Sequence, residues 1–120
     1  MPAPNRRFGR DARLTSRLDF RRVFSEGRKT PGRHIILWSY RSAEGLPPRL
    51  GLSVSAKVGK AVRRTRLKRL TREAFRHNRE KLRPGSDVVV CLRPGCGWEN
   101  RADAERDLLD ACRKAGLLES

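Results

Sequence analysis

Residues 57–72 hold eight Lys or Arg and no acid, in the run Lys57-Val58-Gly59-Lys60-Ala61-Val62-Arg63-Arg64-Thr65-Arg66-Leu67-Lys68-Arg69-Leu70-Thr71-Arg72. A solvated helix face normally interleaves acids at i+4 spacing to limit repulsion, yet Glu73 is the first acid after Lys57. The run therefore needs a polyanion to neutralise it. It is not a plain charged tail, because Val62, Leu67, Leu70 and Ala74 recur through it and Glu73-Ala74-Phe75-Arg76 extends the helix-forming stretch. At about 100° per residue, Leu67, Leu70 and Ala74 share one stripe, and Thr65, Lys68, Arg69, Arg72 and Arg76 fall opposite. The expected element is a helix with one face docked on a core and the other free for phosphate contacts. Arg63 projects near the apolar stripe, in the first turn, where its stem can snorkel outward.

At 120 residues the chain suits one domain with a modest core and no large enclosed active site. Its net charge of +16 favours nucleic acid over a small-molecule role. That charge is uneven: residues 1–98 carry 25 Lys and Arg against 7 acids, whereas residues 99–120 carry 4 against 6, so the C-terminal segment is not expected to touch the polyanion. Of the 29 basic residues 23 are Arg, whose guanidinium gives bidentate, stackable contacts that ammonium cannot. An Arg-favouring genome would produce the same count, so this supports phosphate binding without proving it. No stretch approaches the roughly 18 apolar residues of a membrane span. Met1-Pro2-Ala3-Pro4-Asn5-Arg6-Arg7 lacks the apolar segment of a secretory signal. The expected location is the cytoplasm, with no membrane partner. Cys91, Cys96 and Cys112 follow no zinc spacing, and His34 and His77 lie far off. Reduced thiols are expected, Cys91 and Cys112 filling the core and Cys96 on a turn open to oxidation.

Residues 1–12 combine two prolines, a glycine and three arginines without periodicity, and read as a disordered basic arm. Residues 13–120 read as one RNA-binding α/β domain. Ser16-Arg17-Leu18-Asp19 resembles a helix cap with an acid in the first turn, and Phe20, Val23 and Phe24 recur at helical spacing until Gly27. From Arg33 the period becomes two, with Ile36, Trp38 and Tyr40 on one face and Ile35 and Leu37 on the other. Glu44-Gly45-Leu46-Pro47-Pro48 is a turn, and residues 49–55 alternate Leu50, Leu52 and Val54 against Gly51, Ser53 and Ser55, predicting an antiparallel pair with the preceding strand. Pro84-Gly85-Ser86 precedes Asp87-Val88-Val89-Val90-Cys91-Leu92-Arg93, an apolar run suited to a buried central strand, which Pro94-Gly95-Cys96-Gly97 ends. Residues 102–115 form a last helix through Ala104, Leu108, Ala111, Cys112 and Ala115, stopped by Gly116. The order is helix, two or three strands, helix, strand, helix: an α/β (α+β) two-layer sandwich of αβββαβα type.

The stretch from Arg49 through Gly51-Leu52-Ser53-Val54-Ser55, Lys57-Val58-Gly59 and Arg64-Thr65-Arg66 to Phe75 closely resembles the signature of the bacterial ribonuclease P protein subunit. Asp19-Phe20, Val23-Phe24 and Gly27 near the start, and Asp87-Val88-Val89-Val90 after the basic helix, agree in order and spacing. Thr65 and Lys60 stand where the family usually has Asn, and Ala56 where Lys is common. Thr65 loses the paired geometry of an amide and Lys60 adds charge. The resemblance implies a sandwich with a left-handed βαβ crossover, an exception to the usual hand. It also implies a protein that binds the catalytic RNA subunit and the 5′ leader of precursor tRNA, while the RNA performs Mg²⁺-dependent hydrolysis. By position, Lys57, Lys60, Arg63, Arg64, Thr65, Arg66, Lys68, Arg69, Arg72 and Arg76 would meet the RNA subunit. Phe20, Phe24, Trp38 and Tyr40, with Ser53 and Ser55, would line the leader cleft.

Each assignment competes with a plainer one. Helical aromatics such as Phe20 and Phe24 are usually core, whereas Trp38 lies on a strand kept polar at its end by Ser39 and Arg41 and suits base stacking. An autonomous nuclease would need clustered carboxylates or a His-based pair; Asp87 and Glu73 are single, and Asp103, Glu105, Asp107 and Asp110 scatter around a helix. No catalytic or metal-binding residue is therefore expected on the chain. A structural ribosomal protein binding rRNA is the alternative. A DNA reader is not expected, since no helix pair leads into the basic helix.

Overall fold

In a computed structural model, residues 13–41 and 46–118 are described, and they fold in the order α1 (Arg17–Glu26), β1 (Arg28–Pro31), β2 (Ile35–Arg41), β3 (Arg49–Ser53), α2 (Ala61–Asn78), β4 (Ser86–Leu92) and α3 (Arg101–Lys114). The expected basic arm 1–12 and the first residues of the 44–48 turn lie outside them. Local chemistry explains the helix ends. Ser16 Oγ accepts the Leu18 N–H at 3.2 Å to open α1, and the Gly27 N–H closes it on Val23 O at 2.9 Å. Asn100 Oδ1 accepts the Asp103 N–H at 3.0 Å while Asp103 Oδ2 accepts the Glu99 N–H at 2.9 Å, so α3 starts on reciprocal caps. Gly116, at φ 74°, supplies the left-handed residue after α3. No side chain caps α2 at its N-terminus, so tertiary packing holds it.

The sheet runs β1-β2-β4-β3, with β4 antiparallel to β2 and parallel to β3. This corrects the expected β2–β3 antiparallel pair. Val88, Val90 and Leu92 point to one face of β4 and Val89 and Cys91 to the other, so this strand gains most from being covered on both sides and takes the place between the two. The β3 strand, with Gly51 and Ser53 on one face, is left at an edge. Its outer side is paired in part by the segment before α1, where the Leu14 N–H donates to Leu50 O at 2.9 Å. The other edge, β1, has the sequence Arg-Lys-Thr-Pro and offers no apolar alternation, which is why it escaped the sequence pattern.

Register sorts the side chains. Ile35, Leu37, Leu50, Val88, Val90 and Leu92 face α2 and α3 and form the main core with Leu67, Phe75, Trp98 and Leu108. Each buried aliphatic side chain there contributes about 1.5–3 kcal/mol. The α2 stripe is as expected, Leu67, Leu70 and Ala74 being buried along with Thr71, Phe75 and Asn78. Thr71 and Asn78 satisfy their polar atoms on Leu67 O and Ala74 O at 2.8 Å. Val62, expected to take part in that pattern, is 84 % exposed because the first turn of α2 extends past the core. The sandwich thus has the sheet as one layer and α2 with α3 as the other. Helix α1 crosses part of the remaining face, packing Val23 with Leu14 and Val89. Gly51 permits that crossing, since a Cβ there would sit 2.6 Å from the Phe20 ring.

Candidate nucleic-acid interface

Two surfaces carry the residues singled out in the sequence, and they lie on opposite sides of the sheet. The first is the outward side of α2. Lys57, Lys60 and Arg72 are exposed, Lys68 is half-buried, and among the described residues none of these four side chains makes a hydrogen bond or ion pair. Arg69 is also outward, with a weak i, i+4 contact of 3.6 Å to Glu73. The first turn of α2 holds no acid, so its helix dipole adds to the positive field. Thr65 is exposed among these cations, and Arg76 is half-buried 3.2 Å from His77 Nε2.

Three arginines of this group have work inside the molecule. The Arg63 guanidinium does not snorkel outward as expected; it donates to Cys96 O at 2.5 Å and reaches Trp98 O at 3.5 Å. Arg66 donates to Glu99 O, and Arg64 Nε to Gly59 O at 3.1 Å. Arg63 and Arg66 together hold the β4–α3 loop on α2. That loop delivers Trp98, which is buried in the core with its indole N–H donating to Asp107 Oδ2 at 2.6 Å. The sequence pattern could not show this, because loop carbonyls leave no residue signature.

The second surface is the α1 side of the sheet. Phe20 and Phe24 lie side by side along α1 with tilted rings, centroids 6.3 Å apart, and Phe24 meets Trp38 edge-on at 5.3 Å. Phe20 is half-buried over Gly51, whereas Phe24 remains 37 % exposed. Trp38 and Tyr40 alternate with buried Leu37 and Ser39, as the period of two predicted. Beside α1 the sheet floor is open along Pro31, Ile36, Cys91 and Ser53, which are paired neighbours in the ladder. Ser53 is exposed at its end, and Ser55, also exposed, lies just past β3. A cavity of about 590 Å³ adjoins Phe20, Gly51, Arg13 and Arg72 and links this face to the cationic helix.

A charge clamp sets how α1 lies on the sheet. Arg49 grips Asp87 through two bonds of 2.8 and 2.7 Å and reaches Asp19 of α1 at 3.5 Å. The bond to Asp87 outweighs burial and raises the Arg49 pKa above its ordinary value. The sequence marked Asp19 as a helix-start acid and Arg49 as the start of the motif stretch, but not their pairing, since the two are 30 positions apart. The acids are similarly engaged elsewhere: Asp107 serves Trp98 and Asp103 caps α3. Among the described residues no three His, Cys, Asp or Glu side chains are placed to hold a metal ion, and no helix is long and apolar enough to cross a membrane.

The thiols depart from expectation. Cys112 is buried as predicted, but Cys96 is buried too, within the loop that Arg63 holds, and Cys91 is only half-buried, on the open sheet floor. Burial pushes all three pKa values up, that of Cys112 to about 12, and so disfavours the reactive thiolate. Alkylation of the native protein at pH 8 should therefore reach Cys91 first, with Cys96 and Cys112 modified only in denaturant. Mass spectrometry of the labelled peptides checks this, and fast native labelling of Cys96 would contradict the loop geometry.

A family model described as Ribonuclease P matches residues 8–116. The chain belongs to the ribonuclease P protein family. The ribonuclease P protein component of Clostridium acetobutylicum is 35 % identical over 111 residues, covering 91 % of this chain and 92 % of the relative. That of Pseudomonas aeruginosa is 49 % identical over 96 residues, covering 78 % and 69 %. Among solved structures, the Thermotoga maritima RNase P protein superposes with a TM-score of 0.74 at 31 % identity, covering 90 % of this chain and 98 % of that one. The Staphylococcus aureus RNase P protein gives 0.78 at 25 % identity, covering 90 % and 98 %. These ribonuclease P relatives support the sandwich and lend nothing to the ribosomal alternative.

Proposed function

We propose that this ribonuclease P protein, as the non-catalytic subunit of the ribonucleoprotein endonuclease that matures tRNA 5′ ends, binds the catalytic RNA through α2 and the 5′ leader of precursor tRNA through the α1 side of the sheet. The observation that carries this is the separation of the two surfaces: unpaired cations on α2, and an aromatic row of Phe20, Phe24, Trp38 and Tyr40 across the sheet from them. Cations without acids suit a phosphate backbone, and aromatic faces beside an open sheet floor suit unstacked bases. The protein then acts by lowering repulsion between two RNAs and positioning the leader, which raises substrate affinity while the chemistry stays with RNA. Mg²⁺ would supply Lewis-acid chemistry in that RNA-catalysed reaction, and this reading assigns its binding to the RNA. Such an assembly works in the cytoplasm.

The test is reconstitution with a bacterial catalytic RNA at low Mg²⁺, where the protein should restore production of the mature 5′ end and show no cleavage alone. Lys68→Ala with Arg72→Ala should weaken binding to the RNA subunit and flatten the log-log salt dependence by about 0.7–0.9 for each phosphate left without its cation. A folded double variant with an unchanged salt slope would remove α2 from the interface.

A further inference from the structure

Trp38 is already in use in the free chain. Lys29 of β1 stands directly opposite it in the antiparallel register, on the same side of the sheet as α1, and its ammonium lies 5.7 Å from the indole centroid. Lys29 is exposed, and among the described residues no acid pairs with it. A solvated ammonium resting on an aromatic face is held weakly, and a nucleic-acid base stacks on an indole more strongly. A base arriving on Trp38 therefore displaces the ammonium from the ring. The displaced group is a flexible point charge at the site where that base's phosphate must lie, and it has no competing carboxylate.

We propose that Lys29 is a leader-binding residue, parked on Trp38 in the free protein and transferred to a leader phosphate when a base takes the indole. This rests on the reading of the α1 side of the sheet as the leader site and adds to it a cation from the edge strand. Stacking and ion pairing become one event: a leader that cannot stack leaves Lys29 on the ring and forfeits the phosphate contact as well. The edge position matters, because the side chain can swing without disturbing the sheet.

The experiment uses the reconstituted holoenzyme with wild type, Lys29→Gln and Lys29→Arg, and measures affinity for precursor and mature tRNA over a salt series. Lys29→Gln is expected to weaken precursor binding and flatten its salt slope by about 0.7, the value for one single-strand contact, while leaving mature tRNA unaffected. Lys29→Arg should keep the wild-type slope. Wild-type behaviour of Lys29→Gln, or tighter precursor binding from an uncovered indole, overturns the proposal while the leader site stands. If the wild-type holoenzyme itself shows no preference for leader-bearing tRNA, the leader site fails and Lys29 falls with it. Quenching of tryptophan emission by a leader oligonucleotide gives a second readout, since Trp98 is 1 % exposed and only Trp38 is available to a base.

Discussion

Asp87→Ala is expected to cost about 3 kcal/mol of stability, the lower end of the range for breaking a buried ion pair, because Arg49 keeps some exposure to water. Asp87 is 3 % exposed and both its oxygens are taken by Arg49. Removing the carboxylate leaves a part-buried guanidinium between the sheet and α1, with only the longer contact to Asp19 to balance it. Asp19→Asn should cost far less, about 0–1 kcal/mol, since that contact is long at 3.5 Å and both side chains keep some exposure to water. The double variant Arg49→Met with Asp87→Leu should recover most of the loss, because it removes both charges rather than one. Urea denaturation of the four proteins checks the series. If Asp87→Ala melts like wild type, the clamp does not hold α1, and the placement of Phe20 and Phe24 has another cause.

Trp38→Ala should lower affinity for precursor tRNA by about 1–3 kcal/mol for the stacked base while sparing mature tRNA, which has no leader. Assembly with the RNA subunit should be unaffected, because α2 lies across the sheet. The competing role is packing. Trp38 is half-buried against Phe24, so its truncation should destabilise the fold less than the roughly 3–5 kcal/mol expected for a fully enclosed Trp such as Trp98. Melting temperature measured beside the two affinities separates the roles. A variant that folds normally and keeps its preference for leader-bearing tRNA would exclude Trp38 and leave Phe24 as the exposed aromatic of the cleft.

Strong local periodicity was legible in the chain. Helix α2, with Leu67, Leu70 and Ala74 inside and its cations outside, follows from the 3.6-residue repeat alone, and the alternation of Ile35 and Leu37 with Ile36 and Trp38 follows from the repeat of two. The unbroken run of Val88, Val89 and Val90 announced a central strand, and Ser16, Gly27 and Gly116 marked helix ends through their own backbone chemistry. Edge strand β1 was silent, because an edge needs few apolar groups and charged residues protect it. Strand partners were misjudged for a different reason: nearness in sequence favours a β2–β3 hairpin, whereas covering both faces of β4 buries more apolar surface than any local turn can offset. The roles of the arginines divided in the same way. Charge density told that some meet a polyanion, but only the folded loop decided that Arg63 and Arg66 are bound to carbonyls of residues 96–99, and only sheet register brought Lys29 to Trp38 and Arg49 to Asp87. Periodicity reports which face of an element is buried; which distant group a long side chain then meets depends on pairings that no local pattern encodes.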